Sequence, residues 1–271
     1  MIETILIREG YVALWTHFAV TIHYNSVLAR RRFFVNTIRG GTAELVGEDA
    51  RHLTRVLRVE AGQRFEISDN SAAWLAEVTE AQGERVVFRV IEALDSPTFP
   101  VHITLIAAIV KFDRFEWMIE KATELGVERI LPMEAARTEK GLFEAARKRA
   151  ERWGRIARES SQQSRRTRVP EIMAAVRFEV CLAERARYRY FLDEAGAPPI
   201  LSLFPERRTA DDEVALMLGP EGGWTDGERQ SAVQAGWLPA SLGPLILRAE
   251  TAATAALAVT GSAWMAANSL Q

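Results

Sequence analysis

The run Val214-Ala215-Leu216-Met217-Leu218-Gly219-Pro220-Glu221-Gly222-Gly223-Trp224-Thr225-Asp226-Gly227-Glu228 constrains this chain more than any other segment. Its unbroken apolar start suits a strand buried on both faces, as a parallel sheet requires. Glycines then break the strand, and a helix begins at once, with Thr225 and Glu228 spaced as a capping box. Glu228 is thereby read as a cap. A strand that ends in a glycine turn and feeds a helix is one unit of an open α/β sheet, where ligands approach the carboxyl ends of strands. Gly219, Gly222 and Gly223 have no side chains to block that approach, and the first amides of a helix can bind polar ligand atoms. A turn chosen only for positive φ would use the same glycines. This segment alone leaves both readings open.

The surrounding pattern divides the chain. In residues 1–30, Glu3 stands where a signal sequence is basic, and His17 and His23 interrupt its apolar part, so we read an extension without an assigned role. Strand-like text at 32–35 is followed by a short helix at 48–57 and strands at 64–68, 74–79 and 85–91. Turn signals fall at Gly62, Asp69-Asn70 and Gly83. That spacing predicts a small β-barrel over 31–96. Ser96-Pro97 to Pro100 reads as a linker. Over 97–271 strands alternate with long helices, which predicts an α/β domain. It opens with a buried strand at 101–110. A helix follows, with Asp113 as N-cap and Glu116 three residues on. Phe115, Met118, Ile119, Ala122 and Leu125 share one face, and Gly126 is the stop. A further helix at 144–164 presents Phe143, Ala146, Ala150, Trp153 and Ala157 inward and Lys148, Arg152 and Arg155 outward.

Charge and cysteine content narrow the function. The net charge of −2 conceals a basic stretch at 147–168, where nine basic residues stand against two acidic ones. A single cysteine, Cys181, excludes an intrachain disulfide and a multi-thiolate zinc site, fits a reduced cytoplasm, and reads as a small apolar filler. No apolar run is long enough to span a membrane. Four scattered histidines lack metal spacing, so no metal is expected. Neither dinucleotide fingerprint, phosphate loop nor nucleophile elbow is present.

A second informative segment runs Ser241-Leu242-Gly243-Pro244-Leu245-Ile246-Leu247-Arg248-Ala249-Glu250-Thr251-Ala252 and leads into an alanine-rich helix at 252–267. Little bulk on that helix allows close packing. Arg248 and Glu250 are charges in apolar text, and burial without partners would be costly, so they form either a mutual ion pair or a site.

Together and in this order, the two segments resemble the bacterial 16S ribosomal RNA uridine-N3 methyltransferases of the SPOUT superfamily. That family carries a Leu-Gly-Pro-Glu-Gly-Gly loop and then a Leu-Gly-x-x-Ile-Leu-Arg-x-Glu-Thr-Ala segment. Earlier matches are Arg32-Phe33-Phe34, His52-Leu53 with Val56-Leu57-Arg58, the run 120–127, Arg152-Trp153, and Gln163-Ser164 with Arg166. The resemblance spans Arg31 to the C-terminus. Departures are Arg165 and Phe112, where glycine is usual, and Leu245, where arginine is frequent.

The resemblance implies a PUA-like, RNA-binding barrel before an α/β domain tied in a trefoil knot, a homodimer that completes each site, and S-adenosyl-L-methionine as cofactor. Carried over as cofactor-binding residues are Leu218, Gly219, Glu221, Gly222, Gly223, Leu242, Gly243, Leu247, Arg248 and Thr251. The substrate implied is 16S RNA of the 30S subunit, with Arg32, Lys148, Arg152, Arg155 and Arg166 as candidate RNA contacts. Uridine N3 must lose a proton as the methyl arrives, so a base or a cation facing the developing anion is needed. Arg248 is assigned as stabiliser and Glu250 as base or orienting partner. Two rivals are a non-catalytic ribosome-assembly factor, which leaves the glycine loops unexplained, and a nucleotide-dependent α/β enzyme, which the missing fingerprints disfavour.

Overall fold

The computed structural model describes residues 31–95 and 99–268; the extension at 1–30 and most of the expected linker lie outside the described residues. The first sheet contains β1 (Arg32–Phe34), β2 (Ile38–Arg39), β3 (Thr42–Val46), β4 (Arg64–Ser68), β5 (Ala73–Gln82) and β6 (Arg85–Leu94). Their order is β1-β4-β5-β6-β3-β2, with β1 parallel to β4 and the other pairs antiparallel. Alternate residues turn inward, as the strand period of two demands. Phe33, Leu45, Phe65, Ile67, Val86 and Phe88 form one core, and Phe65 meets Phe33 and Phe88 edge-on. The helix expected at 48–57 is a single turn, α1 (Glu48–Arg51), that widens into a π-type turn at His52–Val56.

The second sheet is entirely parallel. Its elements are β7 (His102–Ala108), α2 (Phe112–Glu124), β8 (Arg129–Glu134), α3 (Leu142–Ala146), α4 (Ala150–Gln163), β9 (Glu171–Ile172), β10 (Val176–Arg177), α5 (Phe178–Cys181), β11 (Tyr188–Leu192), α6 (Ile200–Leu203), β12 (Glu213–Leu218), α7 (Asp226–Gln234), β13 (Leu238–Ala240) and α8 (Ala249–Asn268). The order is β10-β8-β7-β12-β11-β13, with β9 beside β8. Central strands β7 and β12 are buried on both faces, as their apolar runs predict. Leu105 and Leu216 join the cluster that packs with α2 and α8, while Ile106 and Met217 face the opposite cluster.

Two helix expectations need correction. Lys111, not Asp113, occupies the cap of α2 and makes no side-chain cap bond; the helix begins two residues earlier, with Phe112 packed edge-on against Trp153. Glu116 instead pairs with Arg149 and Arg152 of the following helical region. The expected 144–164 helix is interrupted by a 3₁₀ turn at Arg147–Arg149. Tighter winding shifts the phase of the helical face, so Ala150 is exposed while Trp153 and Ala157 stay buried. Gly126 does end α2, at φ +86°, and a side chain there would collide with the ring of Phe99.

The two sheets meet through polar contacts at α4 and the segment after it. Arg158 and Gln162 donate to Asp49, and Arg158 also donates to the Phe34 carbonyl at 2.7 Å. Ser68 Oγ donates to the Thr167 carbonyl at 2.6 Å, and the Val169 amide donates to Asn70 at 2.8 Å.

Candidate active site

Parallel register brings three strand ends level. Leu192 of β11 lies beside Leu218 of β12 on one side and Ala240 of β13 on the other. The loops that leave these ends therefore emerge side by side, and they enclose a cavity of about 360 Å³, a volume within the range of small-ligand sites. Leu218, Gly219, Glu221 and Gly223 line it from the first loop, and Leu242, Gly243, Leu247 and Arg248 from the second. The capping box at the start of α7 is complete: Thr225 accepts from the Glu228 amide, and Glu228 accepts from Thr225. Glu228 also accepts from the Ala136 amide at 2.8 Å, which ties the loop after β8 to α7.

Glycine is required at two positions of this loop for different reasons. Gly223 has φ +69°, and a Cβ would stand 2.8 Å from Glu194 Oε1. Gly219 has an ordinary backbone, but a Cβ would lie 2.9 Å from the Trp224 ring. Gly222 faces away from the cavity; its carbonyl accepts from Arg137 at 2.7 Å.

Arg248 and Glu250 part company. Arg248 is exposed on the cavity wall, whereas Glu250, in the first turn of α8, does not line it. Among the described residues they form no ion pair, and Glu250 Oε2 is buried without a hydrogen-bond partner. Thr251 is exposed and off the cavity. Glu221 pairs with Arg114 of α2, which also lines the wall.

Sequence reasoning missed Arg114 and the whole β11 contribution, Leu192, Asp193 and Glu194. The signal was present, since the apolar strand ending at Leu192 is followed by an acidic turn and Gly196. Asp193 is buried and held by Arg229 at 2.8 and 3.1 Å, so it fixes the loop. Leu245 and Ile246 also line the cavity, 77% and 87% exposed.

The candidate RNA contacts fare unequally. Arg32 is only 4% exposed, bonded to Glu66 at 3.0 Å and to the Thr167 hydroxyl at 3.0 Å. Its charge is neutralised inside the protein, which corrects its placement among phosphate contacts. Arg166 is half-buried. Its guanidinium donates to the carbonyls of Thr123 and Arg168, and burial pushes its pKa down to about 10. Lys148, Arg152 and Arg155 are exposed, although Arg152 pairs with Glu116 and Arg155 with Glu151. Cys181 is buried, and burial pushes its thiol up to about 12, as suits an inert filler.

Residues 97–261, more than half of the chain, match the RNA methyltransferase domain. This chain belongs to the RNA methyltransferase family. The amino-terminal sheet of this methyltransferase matches the RNA methyltransferase PUA domain over residues 45–91. The chain is 31% identical to ribosomal RNA small subunit methyltransferase E of Synechocystis, covering 87% of this chain and 76% of that protein. Its identity to the Bacillus subtilis protein of the same name is 29%, covering 80% and 88%. Among solved structures, ribosomal RNA small subunit methyltransferase E from Neisseria gonorrhoeae, bound to S-adenosyl methionine, superimposes with a TM-score of 0.78. Identity there is 30%, covering 86% of this chain and 98% of that one. A methyltransferase from Legionella pneumophila with bound SAM gives a TM-score of 0.77 at 29% identity, covering 86% and 97%. Among the described residues, no helix of this methyltransferase is long and apolar enough to cross a membrane.

Proposed function

We propose that this RNA methyltransferase uses S-adenosylmethionine to methylate N3 of one uridine in 16S RNA of the 30S subunit, acting in the cytoplasm. The observation that carries the reading is the convergence of the loops at 218–223 and 242–248 on one cavity at level ends of three parallel strands. The cavity suits the cofactor in size and lining. Leu192, Leu218, Leu242 and Leu247 offer apolar walls, and Gly219, Gly223 and Gly243 line it without side chains. Relatives from Neisseria and Legionella with bound cofactor support this assignment.

When bound, the cofactor supplies an already activated methyl group on a sulfonium centre. The protein then has three tasks. The loops align the acceptor nitrogen with the methyl carbon, which is worth several kcal/mol by positioning alone, on the order of 7–11 at best. Arg248 is assigned to the uracil oxygen on which charge grows as the N3 proton passes to solvent water. Glu250, set back from the cavity, is assigned the role of orienting partner, with its unpaired Oε2 at the start of α8.

The reading includes a knotted path through the two loops and a homodimer. In support of the homodimer, the outer face of α8 presents a shallow groove formed by Leu201, Ala258, Val259, Ser262 and Ala263. Incubating undermethylated small subunits with enzyme and cofactor, followed by mass spectrometry of the nucleosides, tests the reaction. 3-Methyluridine at one position is expected. Label on ribose or cytosine overturns the N3 assignment, and cofactor binding without label in any RNA favours the assembly factor. Light scattering that finds an active monomer defeats the homodimer.

A further inference from the structure

Of the motif His52-Leu53 with Val56-Leu57-Arg58, Leu53 enters the core of the first sheet, and no residue lines the cavity. Only Leu53 and Val59 of this stretch are buried. Arg55, Val56, Leu57 and Arg58 all point to solvent, with Val56 65% and Leu57 48% exposed. The apolar pair thus sits in water between two guanidinium groups.

Arg32, Arg51, Arg64, Arg85 and Arg89 each pair with a glutamate. Among the described residues, Arg55 and Arg58 make neither an ion pair nor a side-chain hydrogen bond. Exposed Arg31 and Arg39 are likewise without an ion pair among the described residues, but only Arg55 and Arg58 flank an exposed apolar pair.

The backbone that presents them is costly and firmly held. The segment winds as a π-type turn at His52–Val56, with the Leu57 amide donating to the His52 carbonyl at 3.1 Å. Arg58 then adopts φ +50°, one of three non-glycine residues with positive φ among those described. Buried Leu53 anchors the turn, the Val59 amide donates to the Leu53 carbonyl at 3.1 Å, and the Thr54 hydroxyl donates to the Gly83 carbonyl at 2.5 Å. A π-type turn and a strained non-glycine residue commonly mark functional positions. The turn also continues from α1, whose Asp49 is bound by Arg158 and Gln162 of α4. The turn is thereby held beside α4, against the second domain.

We propose that the turn at 52–58 is an RNA-docking element that takes an unpaired segment of the substrate RNA. Arg55 and Arg58 hold phosphates, and Val56 and Leu57 pack against an unstacked base. Exposed bases offer an apolar face to such side chains, and base-paired RNA does not. The proposal rests on the RNA-modifying role given above, but its test can be read without turnover.

Binding of a single-stranded 16S RNA fragment and of small subunits is measured across a salt series for Arg55→Ala/Arg58→Ala, for Val56→Ser/Leu57→Ser and for Arg58→Gly. Losing two phosphate contacts makes the plot of log affinity against log salt shallower by about 1.5. The apolar double variant weakens binding without altering the slope. Glycine accepts positive φ freely, so Arg58→Gly keeps or raises the thermal midpoint while it weakens RNA binding. Cofactor affinity by calorimetry stays at the wild-type value in all three, and in turnover KM for RNA rises with kcat retained. Unchanged slope and affinity in folded variants overturn the proposal. Weakened binding to subunits with unchanged binding to free RNA also overturns it, by pointing to a ribosomal protein. Wild-type protein that binds RNA through these residues without methylating it would sink the proposed reaction and leave this inference standing.

Discussion

The indole nitrogen of Trp224 donates to the main-chain oxygen of Leu192 at 2.7 Å. Trp224 follows the glycine loop of β12, and Leu192 ends the neighbouring strand β11, so this bond fixes one cavity wall to the other. The indole is buried between Phe178 and Phe191 and cannot retreat. Gly219→Val would drive a branched side chain into it. The expected result is loss of cofactor binding in calorimetry with the amino-terminal sheet still folded. Gly223→Val should do the same by another route, because its φ of +69° is forbidden to a β-branched residue. Unchanged affinity in both would remove the loop from the site.

Glu66 and Arg32 are buried together in the first sheet, with side chains 8% and 4% exposed. Removing Glu66 takes away the carboxylate that Arg32 and Arg165 share. Glu66→Ala should cost about 3–5 kcal/mol, measured by urea unfolding. Arg32→Met with Glu66→Leu should recover most of that loss. If Glu66→Ala is as stable as wild type, the pair is not a structural element.

Arg165 occupies the left-handed region at φ +57°, a conformation that glycine adopts at lower cost and that suits the glycine the resemblance leads one to expect there. The side chain compensates by pairing with Glu66 across the two sheets. Both Arg165→Gly and Arg165→Ala lose that contact, but only alanine retains the backbone strain. The alanine variant should therefore be the less stable by about 1–2 kcal/mol. Equal unfolding midpoints would show that the strain is absorbed elsewhere.

Much of this was legible in the sequence because the determining interactions are local. The apolar run of β12, its glycine turn and the Thr225–Glu228 box need only neighbouring residues, and all three appear where the pattern puts them. The gathering of two loops into one cavity followed from family resemblance, since parallel register between β11, β12 and β13 is a long-range property. Phe112 shows where periodicity fails. The choice of Lys111 over Asp113 as cap depends on Phe112 meeting Trp153, a contact from another helix. Arg32 shows the same limit for charge. Nothing in the text Arg31-Arg32-Phe33 distinguishes a solvated arginine from one enclosed with Glu66, 34 residues away.

Arg166 carries the last prediction, which reverses the expectation drawn from its basic surroundings. Its guanidinium closes the carboxyl end of α2 by donating to the Thr123 carbonyl at 2.7 Å, and it also donates to the Arg168 carbonyl at 3.0 Å. A cation suits that end of a helix, where carbonyls lack donors. With those bonds made and the group largely withdrawn from water, little of it remains for phosphate. Arg166→Ala should lower stability by about 2 kcal/mol, the scale of a hydrogen bond to a charged group. The salt slope of RNA binding should stay at the wild-type value. Lys148→Ala should behave oppositely, with stability intact and a slope shallower by about 1. Lys148 is exposed and makes no ion pair among the described residues, so neutralising a phosphate would cost it no internal partner. A shallower slope for Arg166→Ala, at unchanged stability, would return Arg166 to the RNA interface and require its two carbonyl contacts to open when RNA binds.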